Sequence, residues 1–111
     1  MSEAVLPAAE VDEALVDQHI QWTRQGDELA TTVKLHDFAA ALEFVNAVGA
    51  AAEAANHHPD IDIRWNTVRL VLTTHDAGGL TVLDLALAAA IDRLRPVVRD
   101  EDDGAYGGAA G

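Results

Sequence analysis

The chain has 111 residues, half of them apolar, and a formal net charge of −12, so it is long enough for one acidic domain with a real core. Seven Lys and Arg residues are present and they do not cluster, which argues against binding to nucleic acid or to an anionic membrane surface. Since we find no cysteine, no signal-peptide pattern and no uninterrupted apolar run of about 18 residues, we expect no disulfide, no thiolate metal site, no membrane span and a cytoplasmic location.

The first part of the chain predicts a helix followed by a β-hairpin. Pro7 suits the first turn of a helix over residues 8–19. Ile20 and Trp22 begin a strand, and Gly26-Asp27 is a turn signal. The second strand alternates with period two, which predicts one buried face. That face consists of Leu29, Thr31, Val33 and Leu35.

A long helix is predicted next, from a cap at Asp37 to a point near Asn56. It ends there because Pro59 disfavours helical geometry at His58. We expect its buried stripe to be Phe38, Leu42, Val45, Val48, Ala52 and Ala55. The alternation of Ile61, Ile63 and Trp65 then begins a second hairpin with its turn near Asn66-Thr67.

After a loop over residues 75–79, Thr81 and Asp84 form a capping-box pattern that starts a last helix, which we expect Pro96 to end. The predicted order is α-β-β-α-β-β-α. The fold class is α+β: a four-stranded, mainly antiparallel sheet with helices packed on one face. We assign residues 1–98 to this domain and predict that the acidic, Gly/Ala-rich segment 99–111 is disordered.

Two adjacent histidines, His57 and His58, follow the end of the long helix. The helix dipole there favours a protonated imidazole by about 0.3–1 kcal/mol, which suits a proton donor. His75 follows the fourth strand, whose end can meet the helix end and bring three imidazoles into one cleft. Glu53 lies one helical turn before His57, so we predict that its carboxylate orients that ring.

Other interpretations of these residues stay open. The two histidines could be ordinary solvated loop residues, and Asp60 could simply form a turn. Three imidazoles could also hold zinc with an open fourth position, although adjacent histidines in an extended segment point in opposite directions. Asp84 is a helix cap before it is a site residue. Trp65 is placed for core packing, or alternatively as a wall for a flat ligand.

The whole constellation resembles the signature of the pterin-4a-carbinolamine dehydratases. In that family an acidic residue and three spacers precede His-His-Pro, as in residues 53–59, E-A-A-N-H-H-P. An aromatic residue, a histidine and an aspartate follow. Here five residues separate Pro59 from the aromatic residue, nine separate the aromatic residue from the histidine, and eight separate the histidine from the aspartate. They are Trp65, His75 and Asp84. The resemblance extends over about residues 6 to 95, and the family has the element order predicted above. Trp65 stands where tyrosine is frequent.

The resemblance implies an enzyme that removes water from a 4a-hydroxytetrahydropterin and yields quinonoid dihydropterin. This recycles the cofactor of aromatic amino-acid hydroxylases and requires no metal or organic cofactor. It implies His57, His58 and His75 as the catalytic set, with His58 and His75 as the acid–base pair and His57 positioning the pterin. The residues expected to contact the pterin or orient the histidines are Glu53, Asp60, Trp65, Asp76 and Asp84.

Two further functions remain as alternatives: a protein-binding or assembly module on the same fold, and a zinc-dependent hydrolase that uses the three histidines. Self-association is expected in every case, because an open antiparallel sheet leaves two edges to be paired or blunted. The family forms dimers and sometimes tetramers. The small residues Ala50, Ala51 and Ala52 would let helices of two subunits approach closely.

Overall fold

A computed structural model of the chain describes residues 4–96. The predicted disordered segment 99–111 lies outside them. The element order confirms the predicted α-β-β-α-β-β-α arrangement. The elements are α1 (Ala8–Asp17), β1 (Thr23–Gln25), β2 (Glu28–Lys34), α2 (Phe38–Ala55), β3 (Asp60–Arg64), β4 (Thr67–Leu72) and α3 (Val82–Asp92).

The four strands form one antiparallel sheet in the order β1-β2-β4-β3. The two hairpins therefore meet at their second strands, with Leu29 of β2 opposite Leu72 of β4 and Val33 opposite Val68. These four side chains are buried, whereas Thr32 and Arg69, which lie between them in the register, are exposed. One face of the sheet thus carries the core, as the period-two pattern predicts.

Helix α2 covers that core face, and its ends are where the sequence places them. Asp37 caps the first turn, with its side chain accepting from the Ala40 amide at 2.8 Å. The buried stripe is Ala41, Phe44, Val48 and Ala52. The predicted stripe was wrong at Phe38 and Leu42, which are 46% and 41% exposed, and at Ala55, which is also exposed. Because the helix is apolar on most sides, its pattern does not single out one face.

By length and composition α2 also meets the criteria for a membrane-spanning helix, and it alone does so within residues 4–96. Helices in domain cores meet the same criteria. Here the stripe from Ala41 to Ala52 is buried in the core, which accounts for part of the apolar composition without a membrane.

The structure corrects three element boundaries: the ends of α1 and α3, and the start of β1, which begins at Thr23 rather than at Ile20 and Trp22. Helix α1 ends at Asp17, before the predicted His19, which has a positive φ of 54°. Helix α3 ends at Asp92 rather than next to Pro96. The side chain of Asp92 accepts hydrogen bonds from the Gln21 amide, the Trp22 indole and Arg95 at 2.7–3.0 Å. The last turn of α3 is therefore tied to the segment that leads into β1.

Candidate active site

The end of α2 places His57 inside the protein. Asn56 adopts the left-handed conformation, and the amides of Asn56 and His57 donate to the carbonyls of Glu53 and Ala52. This is a Schellman motif, and asparagine tolerates its left-handed position better than most residues. The chain reverses direction at this point, and His57 is buried with 8% of its surface exposed.

His57 meets a carboxylate from another helix. Its Nε2 lies 2.6 Å from Oδ1 of Asp84, in the first turn of α3. Asp84 is completely buried. A buried carboxylate is costly unless all its oxygens are hydrogen-bonded, so the surroundings of its second oxygen decide whether the pair is stable.

That second oxygen is fully engaged. Oδ2 of Asp84 accepts from the Thr81 amide at 2.9 Å, which completes the predicted capping box, and from the Thr74 hydroxyl at 2.7 Å. The Thr74 and Thr81 hydroxyls lie 2.8 Å apart, and the Leu83 amide donates to Thr81 Oγ1 at 3.2 Å. Asp84 thus serves both as helix cap and as partner of a predicted site histidine.

His58 lies outside this buried cluster. Its Nε2 is 2.5 Å from Oε2 of Glu53 on the last turn of α2, and both side chains are more than half exposed. The prediction that Glu53 orients His57 was therefore wrong: the reversal at Asn56 turns His57 inward and leaves His58 beside the helix end. Each adjacent histidine has its own carboxylate, one buried and one exposed.

His75 and Asp76 lie on a tight loop after β4. Thr74 and Gly79 close this loop with a pair of backbone hydrogen bonds, and Gly78 has a φ of 82° that suits glycine. Both predicted site residues on the loop are exposed. His75 directly follows Thr74, so the residue that holds Asp84 also fixes the start of the segment carrying this histidine.

Trp65 is not where the sequence places it. It lies in the turn between β3 and β4 rather than on the core face of a strand, with φ of 57° and 49% of its surface exposed. The turn is thus Trp65-Asn66, one residue earlier than predicted. It lies at the opposite end of the hairpin from Asp60, roughly 16 Å away for five residues of strand. Within one subunit Trp65 is therefore remote from the histidines.

Asp60 is the first residue of β3 and pairs with Val71 of β4. It is exposed. Since successive strand residues point to opposite faces, Asp60 shares the outer face with Asp62 and Arg64. The carboxylate lies close to the histidines in sequence, on the side of the sheet away from the helices.

No cluster of three His, Asp or Glu side chains suited to a metal ion occurs among residues 4–96. His57 and His58 each bind a different carboxylate through Nε2. This arrangement gives no support to a zinc site made from the three histidines.

The strongest contribution that sequence reasoning missed is that of Thr74. It is buried at 7% exposure and donates to Asp84. Thr74 precedes Asp84 by ten residues in sequence, and this spacing does not match the repeat of a helix or a strand. The available signal was the threonine pair at the two ends of the loop, Thr74 before it and Thr81 after it.

A comparison with protein-family models matches residues 4–94 to "Pterin 4 alpha carbinolamine dehydratase". The chain belongs to the pterin carbinolamine dehydratase family. The match includes every residue of the candidate site. It confirms the resemblance drawn from the His-His-Pro motif.

Bacterial relatives are similar over nearly their whole length. A protein of Chloroflexus aurantiacus, provisionally named pterin-4-alpha-carbinolamine dehydratase, is 56% identical over 89 residues, which are 80% of this chain and 95% of the relative. A protein of Nocardia farcinica with the same provisional name is 50% identical over 94 residues, 85% of this chain and 98% of the relative.

Two solved structures share the fold. A transcriptional coactivator/pterin dehydratase from Brucella melitensis superposes with a TM-score of 0.76 at 28% identity, over 83% of this chain and 99% of that one. A pterin dehydratase-like protein identified as a RuBisCO assembly factor in the alpha-carboxysome superposes with a TM-score of 0.60 at 25% identity, over 73% and 96% of the two chains. The α+β architecture is therefore that of the pterin carbinolamine dehydratase family.

Proposed function

We propose that this member of the pterin carbinolamine dehydratase family removes water from a 4a-hydroxytetrahydropterin. The observation that carries the proposal is the pairing of histidines with carboxylates. His57 is held by buried Asp84, and His58 stands exposed beside Glu53. His75 lies exposed directly after Thr74, a member of the buried cluster. Family membership supplies the substrate class.

The reaction requires one acid and one base. The acid protonates the hydroxyl at carbon 4a, and the carbon–oxygen bond breaks with release of water. The base takes the proton from the adjacent ring nitrogen, whose electron pair forms the new carbon–nitrogen double bond of quinonoid dihydropterin. Imidazoles perform both transfers near neutral pH, and the balance requires no oxidant, metal or organic cofactor.

The exposure of the three histidines supports a division of these tasks. His58 and His75 are open to solvent and thus to a substrate, and we assign them the proton transfers. His57 is buried and anchored through Nε2, which suits a residue that positions the pterin. Glu53 then holds the His58 ring in place, and an oriented ring transfers its proton more efficiently.

In the cell this activity would return the tetrahydropterin cofactor spent by aromatic amino-acid hydroxylases. We place the reaction in the cytoplasm, consistent with a chain that lacks cysteine.

The test is dehydration of a chemically generated 4a-hydroxytetrahydropterin, followed by absorbance, for the wild type and for His75→Ala. We expect rapid turnover by the wild type. In the variant we expect turnover to fall at least ~100-fold, which is the lower end of what one general acid or base contributes. His19→Asn is the matched control, because His19 is exposed and asparagine tolerates its positive φ. No acceleration by the wild type would refute the proposed function, and full activity of His75→Ala would remove His75 from the catalytic set.

A protein-binding role is the second candidate. The solved structure named as a RuBisCO assembly factor has the same fold, and Phe38 and Leu42 leave apolar surface exposed on α2. A purely protein-binding role does not need two separate histidine–carboxylate pairs, which is why we favour the enzyme. Stoichiometric capture of one partner by a wild-type protein that lacks dehydratase activity would favour the second candidate.

We also propose that the protein is a homodimer or homotetramer. Strands β1 and β3 are open edges, and Ile61 on β3 is 39% exposed. Ala50 is exposed on α2 and could contact a second helix, whereas Ala52 is buried in the core and could not. Light scattering at micromolar concentration tests this: a monomeric wild type would contradict it. A lower mass for Ile61→Lys or for Leu42→Glu would identify the β3 edge or the α2 face as the contact.

A further inference from the structure

The hydrogen bonds around Asp84 form a chain whose direction can be determined donor by donor. Backbone amides can only donate, so the Leu83 amide donates to Thr81 Oγ1 and the Thr81 amide donates to Asp84 Oδ2. The ionised carboxylate can only accept, so the Thr74 hydroxyl donates its single proton to Oδ2. Thr74 must then accept from the Thr81 hydroxyl.

The donors that surround Asp84 also decide which nitrogen of His57 carries the proton. Two donors already meet at Oδ2, one from Thr81 and one from Thr74. Oδ1 is left for the imidazole, 2.6 Å away. Because Oδ1 accepts, Nε2 must carry a proton. Nδ1 is then the nitrogen without a proton in the neutral ring, and it is the one that remains for a ligand.

We propose that the buried chain Thr81–Thr74–Asp84 fixes the tautomer of His57, with the proton on Nε2 and the lone pair on Nδ1. Thr74 and Thr81 are positioning residues in this scheme, since they act on His57 through Asp84. A neutral His57 therefore accepts a hydrogen bond from a ligand N–H or O–H and donates from Nδ1 only as imidazolium. The consequence for pterin binding rests on the proposed dehydratase function, whereas the tautomer is a property of the protein alone.

The substitution Asp84→Asn tests the proposed tautomer directly. Its amide has nearly the same shape but one oxygen and one NH₂ group. Since the Thr81 amide and the Thr74 hydroxyl both point donors at the Oδ2 position, the amide oxygen must lie there. The NH₂ group then faces His57, and Nε2 must become the acceptor. Asp84→Asn should therefore reverse the tautomer of His57.

The experiment is a two-bond proton–nitrogen correlation spectrum of the ¹⁵N-labelled full chain, recorded at a pH where the His57 ring is neutral. For the wild type we expect a pyrrole-like Nε2 and a pyridine-like Nδ1, and for Asp84→Asn the opposite pair. Thr73→Val is the matched control, because Thr73 donates to the Asp27 carbonyl and takes no part in the hydrogen bonds around Asp84. It should retain the wild-type pattern.

A pyridine-like Nε2 in the wild type would overturn the proposal, and so would an unchanged pattern in folded Asp84→Asn. The wild-type spectrum decides the matter even if Asp84→Asn does not fold. The outcome is also independent of catalysis: absence of dehydratase activity together with the expected tautomer would refute the proposed function and leave this inference standing.

Discussion

His57 and His58 are adjacent in sequence, and each pairs through Nε2 with a carboxylate, yet the two pairs lie in different environments. The His57–Asp84 pair is buried, and two threonines complete its hydrogen bonds. The His58–Glu53 pair is exposed to water. Burial strengthens electrostatic interactions but makes every unpaired polar group costly. Water screens an exposed pair, and if one partner is removed, water can hydrogen-bond to the other. We therefore expect the buried pair to contribute more to stability, and under the proposed function the exposed pair is the one open to the substrate.

Removal of the buried carboxylate should give the largest difference in stability between the two pairs. Asp84→Ala leaves His57, the Thr74 hydroxyl and the Thr81 amide without their acceptor, and we expect the free energy of unfolding to fall by about 3–5 kcal/mol. Glu53→Ala should cost at most about 1 kcal/mol, since its partner is exposed. Urea denaturation of both variants measures the difference. Equal losses would mean that the two pairs do not differ in their structural role.

Removal of the exposed imidazole should show the converse. His58→Ala is expected to lower kcat/KM for the 4a-hydroxytetrahydropterin at least ~100-fold, because a proton-transfer group is lost. Its unfolding midpoint in urea should remain close to that of the wild type. A stable variant with full activity would remove His58 from the catalytic set.

Thr74→Val tests the part of the buried cluster that sequence reasoning missed. Valine keeps the shape but leaves the buried Thr81 hydroxyl without an acceptor and Asp84 without a donor, which should cost about 1–3 kcal/mol. Thr74→Ser should restore most of this stability, because the hydroxyl returns. Thr73→Val, which breaks a bond to a carbonyl nearer the surface, should cost about 1 kcal/mol. If Thr74→Val were no worse than Thr73→Val, the hydroxyl chain would have no special structural weight.

The smallest effect is expected at an exposed ion pair between α1 and β1. The Arg24 guanidinium binds Asp12 at 2.7 Å and holds the pKa of that carboxyl below its ordinary value of 3.8. A lowered pKa contributes stability above pH 3.8 that is lost as the pH falls through the folded-state pKa. Arg24→Ala should therefore be slightly less stable than the wild type near neutral pH, and the gap should close in acid. A gap that widened in acid would contradict this sign.

Much of the fold follows from local patterns. The turn at Gly26-Asp27 and the caps at Asp37 and Thr81 appear in the structure as predicted, because turns and caps depend on a few neighbouring residues. The orientation of α2 was mispredicted at Phe38 and Leu42. An alanine-rich helix buries whichever stripe fits the sheet, and only the packed sheet selects it.

In the site, too, the sequence predicted some features and the tertiary structure decided others. The His-His-Pro spacing was sufficient to identify the family, which the family match over residues 4–94 confirms. The partner of each histidine was not predictable. Glu53 is near both rings in sequence, and the left-handed residue Asn56 decides that it meets His58. Trp65 was misplaced because a bulky residue with positive φ is rare in a turn, so its alternation with Ile61 and Ile63 indicated a strand.

The sequence by itself determined the element order and the helix caps, and it singled out the three candidate histidines. These depend on residue type and short spacing. Only the tertiary structure decided that Asp84 meets His57 across 27 residues and that Thr74 completes the carboxylate's hydrogen bonds. The physical reason is desolvation: a buried carboxylate must satisfy both oxygens. The groups that satisfy them are set by which helix end and which loop the folded sheet brings together.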